Sequence, residues 1–435
     1  MTVRRPTFCA ISITPTATSC CGELAVAMRS CIGCSSIISH RPRRQRMSSA
    51  RTTRASPQGD AEDRPDWHGG GMSLLTKTLA AGVVSAAVLV AAPVSASAEA
   101  KVTFSIPAPT GRYQVGTTDI HLTDNNRQDP WKPDRKRELM VSVWYPAKET
   151  RHHPRQQWLP TGILPLVEDF AEEAGIPKGS VDWTAARTSG HVNAPVKHGK
   201  WPVILYSPGF GGPRSVGSVL VQELTSRGNV VVTIDHTFET AVEFPGGRVE
   251  LPVPISDAEM GKALQARVGD TRFVLDQLAR KGVNLDKVGM FGHSYGGFTA
   301  GETMLHDRRI DAGINMDGSM FPDFGDVAER GLDRPFMLLG GQFLKDGKLV
   351  DHSPFTDLDP SWGLFWANQK GPKESFVLKG ARHHNFSDLQ VVLPQLIKPL
   401  GLPADQFEEF IGTVDPERGL KIQYKVVGQF FDRFL

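Results

Sequence analysis

The chain has 435 residues, 40% of them hydrophobic and 22% charged, with a formal net charge of +2. This is ordinary globular composition, enough for one large domain or two smaller ones. The charge is uneven: residues 1–71 hold ten Arg and no Lys against five acids, and Lys77 adds one more positive charge before Ala98. The remainder, 99–435, therefore carries −4, and no basic face for nucleic acid is implied. Cys9, Cys20, Cys21, Cys31 and Cys34 are the five cysteines. Cys31 and Cys34 form a C-x-x-C, but no second pair or His cluster completes a metal site, and no metal is expected. Beyond Met72 there is no cysteine to form a disulfide or act as a nucleophile.

Residues 1–71 are Arg/Ser-rich and aperiodic, with no pattern that could bury a core. Residues 72–98 have the form of a secretory signal peptide: Met72 and Lys77, an apolar run to Val94, then Ala96-Ser97-Ala98 as an A-x-A cleavage site. The run is short for a membrane span and lacks a basic stop-transfer flank, although an uncleaved anchor is the alternative. The expected reading is translation from Met72, cleavage after Ala98, and a secreted, extracellular protein.

The remainder, 99–435, reads as one domain. Residues 102–106 and 117–122 alternate as strands, with turns at Gly111 and Gly116. A polar loop at 124–136 precedes a strong strand at 139–145, stopped by Pro146. Residues 150–200 interrupt the pattern and contain one amphipathic helix at 164–174, with Pro165 in its first turn. This insertion is expected to lie over the active-site mouth. The run 201–206 is a buried strand leading into Ser207-Pro208-Gly209-Phe210-Gly211-Gly212, whose glycines allow close backbone approach. It is not a dinucleotide loop, because Arg214 stands where a G-x-G-x-x-G would need glycine. A helix at 215–227 ends at Gly228, and 230–234 is the next strand. A loop at 236–256 leads to a long helix capped by Asp257 and running to about 281. Further strands follow at 310–316, 335–339 and 375–378. This alternation predicts a mostly parallel sheet with helices on both faces.

Between the long helix and the strand at 310–316 lies K-V-G-M-F-G-H-S-Y-G-G (287–297). A strand passes through Gly292-His293-Ser294-Tyr295-Gly296 into a small-residue helix, which is the nucleophile elbow of α/β-hydrolases. Ser294 must sit at a strained turn with its Oγ exposed, so the positions two before and two after it must be free of clashing side chains. In this fold the loop after the third strand and the residue after the nucleophile supply the oxyanion-hole amides, which nominates Phe210 and Tyr295. The acid and the histidine follow the serine in the chain. Asp317 ends the strand after the elbow unit, and the next strand ends without a carboxylate, so Asp317 is the chosen acid. Asp235 also ends a strand but precedes the serine, and reads as a polar contact beneath the site. His383 and His384 both follow the last strand and local sequence leaves both open as the base, the other being exposed at the rim. His352 sits in a loop away from any expected strand end.

With these residues in hand, the chain resembles the plasma-type platelet-activating factor acetylhydrolase family, including its secreted bacterial relatives. The resemblance covers roughly 102–435. It rests on R-Q-D-P-W (127–131), E-L-M-V-S-V-W-Y-P-A (138–147), S-P-G-F-G-G (207–212), G-H-S-Y-G-G (292–297), M-D-G-S-M-F-P (316–322), H-H-N-F-S-D (383–388) and I-G-T-V-D-P-E-R-G-L before a terminal helix. It implies Ser294 as nucleophile, Asp317 as acid, His383 as base and the Phe210 and Tyr295 amides as oxyanion hole, without metal or cofactor. It departs from the family pattern in having Tyr295 where Phe is familiar and His384 where Gln is. The implied activity is hydrolysis of short acyl or phospholipid-linked esters, with a small-molecule ester or lipid substrate, transient contact with a lipid surface and no obligate protein partner. The alternatives are a cutinase-like polyester hydrolase or triacylglycerol lipase, and, from another class, a non-catalytic hydrolase-fold binding protein.

Overall fold

The computed structural model describes residues 100–435. The signal-like segment at 72–98, the Arg-rich stretch before it and all five cysteines lie outside the described residues.

Among the described residues fourteen strands follow in chain order: β1 (Gln114–Gln128), β2 (Lys136–Ala147), β3 (Arg155–Gln157), β4 (Arg187–Val192), β5 (Val203–Ser207), β6 (Val230–Ile234), β7 (Val242–Phe244), β8 (Arg248–Glu250), β9 (Val288–His293), β10 (Ala312–Met316), β11 (Phe336–Gly340), β12 (Gln342–Lys345), β13 (Lys348–Asp351) and β14 (Lys373–Val377). Ten of them form one sheet in the order β14-β11-β10-β9-β5-β6-β2-β1-β4-β3. From β6 to β14 every neighbouring pair is parallel, while β2 runs antiparallel to both β1 and β6.

The central strands are short apolar runs buried on both sides, and alternation sends successive residues to opposite faces. Ile204 and Tyr206 of β5 join one core cluster, Val203 and Leu205 the other. Phe291 against Met290 in β9, and Leu339 against Leu338 in β11, divide the same way. The helices Ser218–Ser226, Leu389–Ile397 and Pro416–Phe434 cover the first face; Met260–Arg280, Tyr295–His306 and Pro360–Asn368 cover the second. Each fully buried large apolar side chain contributes roughly 1.5–3 kcal/mol. Central strands packed from both sides in this way make a rigid platform for the loops at their C-terminal ends. Among the described residues no helix is long and apolar enough to cross a membrane.

Several expected elements differ. Residues 102–106 form no strand; Val102 makes a single bridge to Val181. The strand expected at 117–122 is instead the long β1, because its pairing with β2 continues through Asp124↔Arg137 into the polar segment. The long helix is preceded by a short turn, Asp257–Glu259, and its capping box is made by Ser256 and Glu259. The helix within 150–200 is present as Leu164–Glu173, but the rest of that insertion supplies β3 and β4, which extend the sheet edge. Trp158 carries the same segment inward, where its indole N–H donates to Asp388 at 2.8 Å, five residues beyond His383.

Candidate active site

The elbow follows from three close approaches. β9 ends at His293, and the helix begins at Tyr295. Ser294 between them is held at φ 55°, ψ −126°, a backbone state that L-residues rarely adopt. A Cβ on Gly292 would lie 2.2 Å from the Gly296 carbonyl carbon, and one on Gly296 would lie 1.9 Å from Ser207 O. Gly318 is similarly confined, its Cβ position lying 1.9 Å from Ser294 O. The turn is thus wedged between the ends of β5 and β10, and Ser294 N–H donates to Met316 O at 2.8 Å.

That wedge brings the next strand end to the serine. Asp317, directly after β10, has φ 63° and is 2% exposed. Its Oδ2 accepts from His383 Nδ1 at 2.7 Å. Its Oδ1 accepts from the Gly341 N–H at 2.8 Å and lies 2.8 Å from His352 Nδ1. Burial works to raise Asp317, but His352 and His383 outweigh it and hold the carboxyl well below the usual carboxylate range. His383 opens a short 3₁₀ turn fixed by the Asn385 side chain on Arg382 N–H at 2.7 Å. Its carbonyl lies 2.9 Å from His293 Nε2, which ties the turn to the residue beside Ser294. With Nδ1 donating to Asp317, the neutral His383 ring keeps Nε2 free to accept a proton. Ser294 Oγ makes no hydrogen bond to any described residue, and such contacts often close only when substrate is bound.

His384 is not exposed at the rim as expected. It is half-buried with its ring stacked on Phe410, centroids 5.6 Å apart, and burial together with His383 pushes it down to about 3. His293 points away from the serine toward His383 O and stays neutral, since burial and the neighbouring histidines depress it.

The loop at 207–212 passes directly over the elbow: a Cβ on Gly209 would lie 3.4 Å from Ser294 Cβ. Gly211 has φ 74°, and Gly212 N–H closes a turn onto Gly209 O at 3.0 Å. The rings of Phe210 and Tyr295 meet edge to face at 5.8 Å. Among the described residues neither the Phe210 nor the Tyr295 backbone N–H has an acceptor. Two unpaired donors on adjoining segments beside Ser294 suit an incoming oxyanion.

The loop is held from below by a buried polar network. Arg267, 1% exposed on the long helix, donates to Pro208 O (2.7 Å), Gly209 O (3.2 Å) and Ser207 Oγ (3.2 Å), and Glu239 accepts from its Nε (2.7 Å). Ser207 Oγ lies 2.9 Å from His236 Nε2, and His236 Nδ1 lies 3.0 Å from Asp270. Burial and the Arg267 charge push His236 down to about 4, so its neutral ring donates to Asp270 and accepts from Ser207. Asp270 also accepts from Arg137 (2.7 Å) and Arg127 (2.9 Å), and Arg137 reaches Asp129 (2.8 Å). The R-Q-D-P-W segment therefore anchors the helix that carries Arg267. Asp235 is buried at the end of β6, and its carboxylate accepts from the Arg214 N–H at 2.6 Å and pairs with the Arg214 guanidinium.

Sequence reasoning missed His352. It follows β13 at the base of a hairpin whose return path could not be read locally, and it is 3% exposed against Asp317. Among the described residues no group of three or more His, Cys, Asp or Glu side chains is disposed to hold a metal ion.

The comparisons with known proteins agree on the family. The model of platelet-activating factor acetylhydrolase, isoform II, matches residues 98–244 and 254–435. A probable 1-alkyl-2-acetylglycerophosphocholine esterase of Arthroderma benhamiae is 29% identical over 354 residues, 75% of this chain and 87% of that protein. The platelet-activating factor acetylhydrolase of Cavia porcellus is 24% identical over 373 residues, 76% and 78% of the two chains. Among solved structures, a ferulic acid esterase from Streptomyces cinnamoneus superposes with TM-score 0.65 at 33% identity, covering 76% of this chain and 93% of that one. The sheet order, the elbow and these matches together make the chain an ester hydrolase of the α/β-hydrolase fold, a member of the platelet-activating factor acetylhydrolase isoform II family.

Proposed function

We propose that the protein is a secreted serine esterase that cleaves short-chain or phospholipid-linked acyl esters through Ser294, Asp317 and His383. The observation that carries this reading is the strained Ser294 flanked by two unpaired amides and by the 2.7 Å His383–Asp317 pair. His383 Nε2 takes the Ser294 Oγ proton as Oγ attacks the ester carbonyl. The Phe210 and Tyr295 amides hold the oxyanion, each worth about 2.7–4 kcal/mol in such sites. His383 then returns the proton to the leaving alcohol, and water, deprotonated by the same ring, hydrolyses the acyl-serine.

A second reading, hydrolysis of an aromatic hydroxycinnamoyl ester, is favoured by the likeness to the ferulic acid esterase, which exceeds the 29% identity to the fungal relative. Full-length wild type and Ser294→Ala should be assayed on p-nitrophenyl esters from acetate to palmitate and on methyl ferulate. Serine-dependent turnover confined to short chains supports the first reading. Preference for the ferulate moves the substrate to the second, and a palmitate optimum indicates a lipase. Serine-independent turnover contradicts the mechanism itself. Secretion is supported by the segment at 72–98 and by the start of the family match at residue 98. N-terminal sequencing of exported protein should read from Glu99, and export with residues 72–98 retained would contradict it.

A further inference from the structure

We propose that His352 is a positioning residue for the Asp317–His383 pair: a doubly protonated imidazolium clamped between two buried carboxylates, whose charge sets the acid limb of the esterase. The inference rests on the reading of Asp317 and His383 given above.

The geometry requires a donor at both ends of the ring. His352 Nδ1 lies 2.8 Å from Asp317 Oδ1, and His352 Nε2 lies 3.0 Å from Asp359 Oδ2. Both carboxylates are already engaged as acceptors elsewhere. Asp317 already accepts from Gly341 N–H and His383 Nδ1. Asp359 Oδ1 accepts from the Ser361 N–H at 2.9 Å and from Ser361 Oγ at 2.6 Å. That hydroxyl also receives the Met320 N–H at 2.8 Å. A neutral His352 would set a bare ring nitrogen against a carboxylate oxygen, or require a proton on one acid. Imidazole binds that proton more tightly than a carboxylate by about 2.5 units in water.

Among the described residues the surroundings supply no other counter-charge. Trp362 stacks on the ring at 3.8 Å and Phe343 lies edge-on at 5.6 Å. Asp351, next in the chain, is held by Lys379, and Arg382 is directed to Gln342 O. Among the described residues, His352 and His383 are the only ionic partners of Asp317, and His352 is the only one of Asp359. Burial works against the charged ring, but the two carboxylates outweigh it and push His352 up to about 9.

The consequence is a count of buried charge. With His352 charged, the two carboxylates and the imidazolium sum to −1, and protonating His383 brings the cluster to neutrality. Without it, His383 faces −2, holds its proton more tightly, and is a free base only at higher pH.

The test uses full-length protein. In the ¹⁵N spectrum of histidine-labelled wild type at pH 7.5, both ring nitrogens of His352 should be protonated, the signal being assigned by its loss in His352→Gln, or in His352→Asn should the first variant not fold. The acid limb of kcat/KM should move to higher pH by about one unit or more in either folded variant. A neutral His352 ring in wild type, or an unmoved acid limb in a folded variant, overturns the inference. Ser294→Ala, assayed alongside, separates the two readings: turnover that survives there breaks the triad assignment, whereas turnover lost there with an unmoved His352 limb breaks only the present one.

Discussion

His383 Nδ1 and Asp317 Oδ2 stand 2.7 Å apart although 66 residues separate them in the chain, and the wedge of Gly292, Gly296 and Gly318 places that pair beside Ser294. A carboxylate in this position orients the ring and stabilises the imidazolium formed in the transition state. Asp317→Asn should keep the fold and lower kcat by about 10⁴-fold, as amide-for-acid changes do in such triads. Single-turnover acylation rates check it; a loss below tenfold in folded protein would assign the acid elsewhere.

Arg267 touches the loop at 207–212 through the Pro208 and Gly209 carbonyls and Ser207 Oγ, and its guanidinium lies over the Tyr295 ring. Arg267→Met should therefore lower kcat by about 10–100-fold with KM little changed, since the lost contacts matter mainly when the oxyanion forms. It also leaves Glu239 buried without its cation, at a cost of about 3–5 kcal/mol. Adding Glu239→Gln should restore much of the stability, measured by urea unfolding, without restoring kcat. Recovery of both together would make the role of Arg267 purely structural.

Two glycines of the site should respond differently. Gly296→Ala sets a methyl 1.9 Å from Ser207 O, a clash with backbone that cannot yield, and should give insoluble or inactive protein. Gly211 has φ 74° with nothing within 4 Å of its Cβ position, so Gly211→Ala meets only the backbone penalty of about 1–2 kcal/mol. Equal soluble yields and activities for the two would contradict the packing described for the elbow.

Stability should peak near pH 6.5. The folded-state value of His352 is raised to about 9, so its contribution is complete below the unfolded value of about 6.5 and is lost as pH rises through 9. His236 and His384 are depressed to about 4 and 3, so their contributions are complete above about 6.5 and shrink as pH falls toward those values. Asp388, which burial pushes up to about 6, works against this acid arm between about 4 and 6. At about 1.4 kcal/mol per unit, the alkaline arm from His352 is at most about 3.5 kcal/mol. Urea midpoints between pH 5 and 10 should show the maximum, and His352→Gln should flatten the alkaline arm. A wild-type stability that keeps rising to pH 9 would contradict the assignment.

The parts of this site that sequence made legible were those governed by local rules. Ser294, Phe210 and Tyr295 follow from a strand–turn–helix with small residues at fixed offsets, and Asp317 from its place at a strand end. Between His383 and His384 the local pattern was mute, and the resemblance named His383, whose ring is the one that meets Asp317. His352 and Asp359 could not be read, because nothing in D-H-S-P or D-L-D-P-S-W shows that a hairpin and a helix cap will meet behind Asp317. The expected strand at 102–106 failed because alternation alone supplies no neighbour to pair with. The path of β3 and β4 was hidden for the reverse reason, since edge strands of mixed polarity carry little pattern.

The central claim is that Ser294 carries the acyl group. The most direct measurement is the mass of the peptide containing Ser294 after full-length protein is inactivated with a fluorophosphonate ester. The account predicts one phosphonyl adduct on Ser294, formed in step with loss of turnover. Complete inactivation with the adduct on another residue, or full turnover with Ser294 modified, would contradict it.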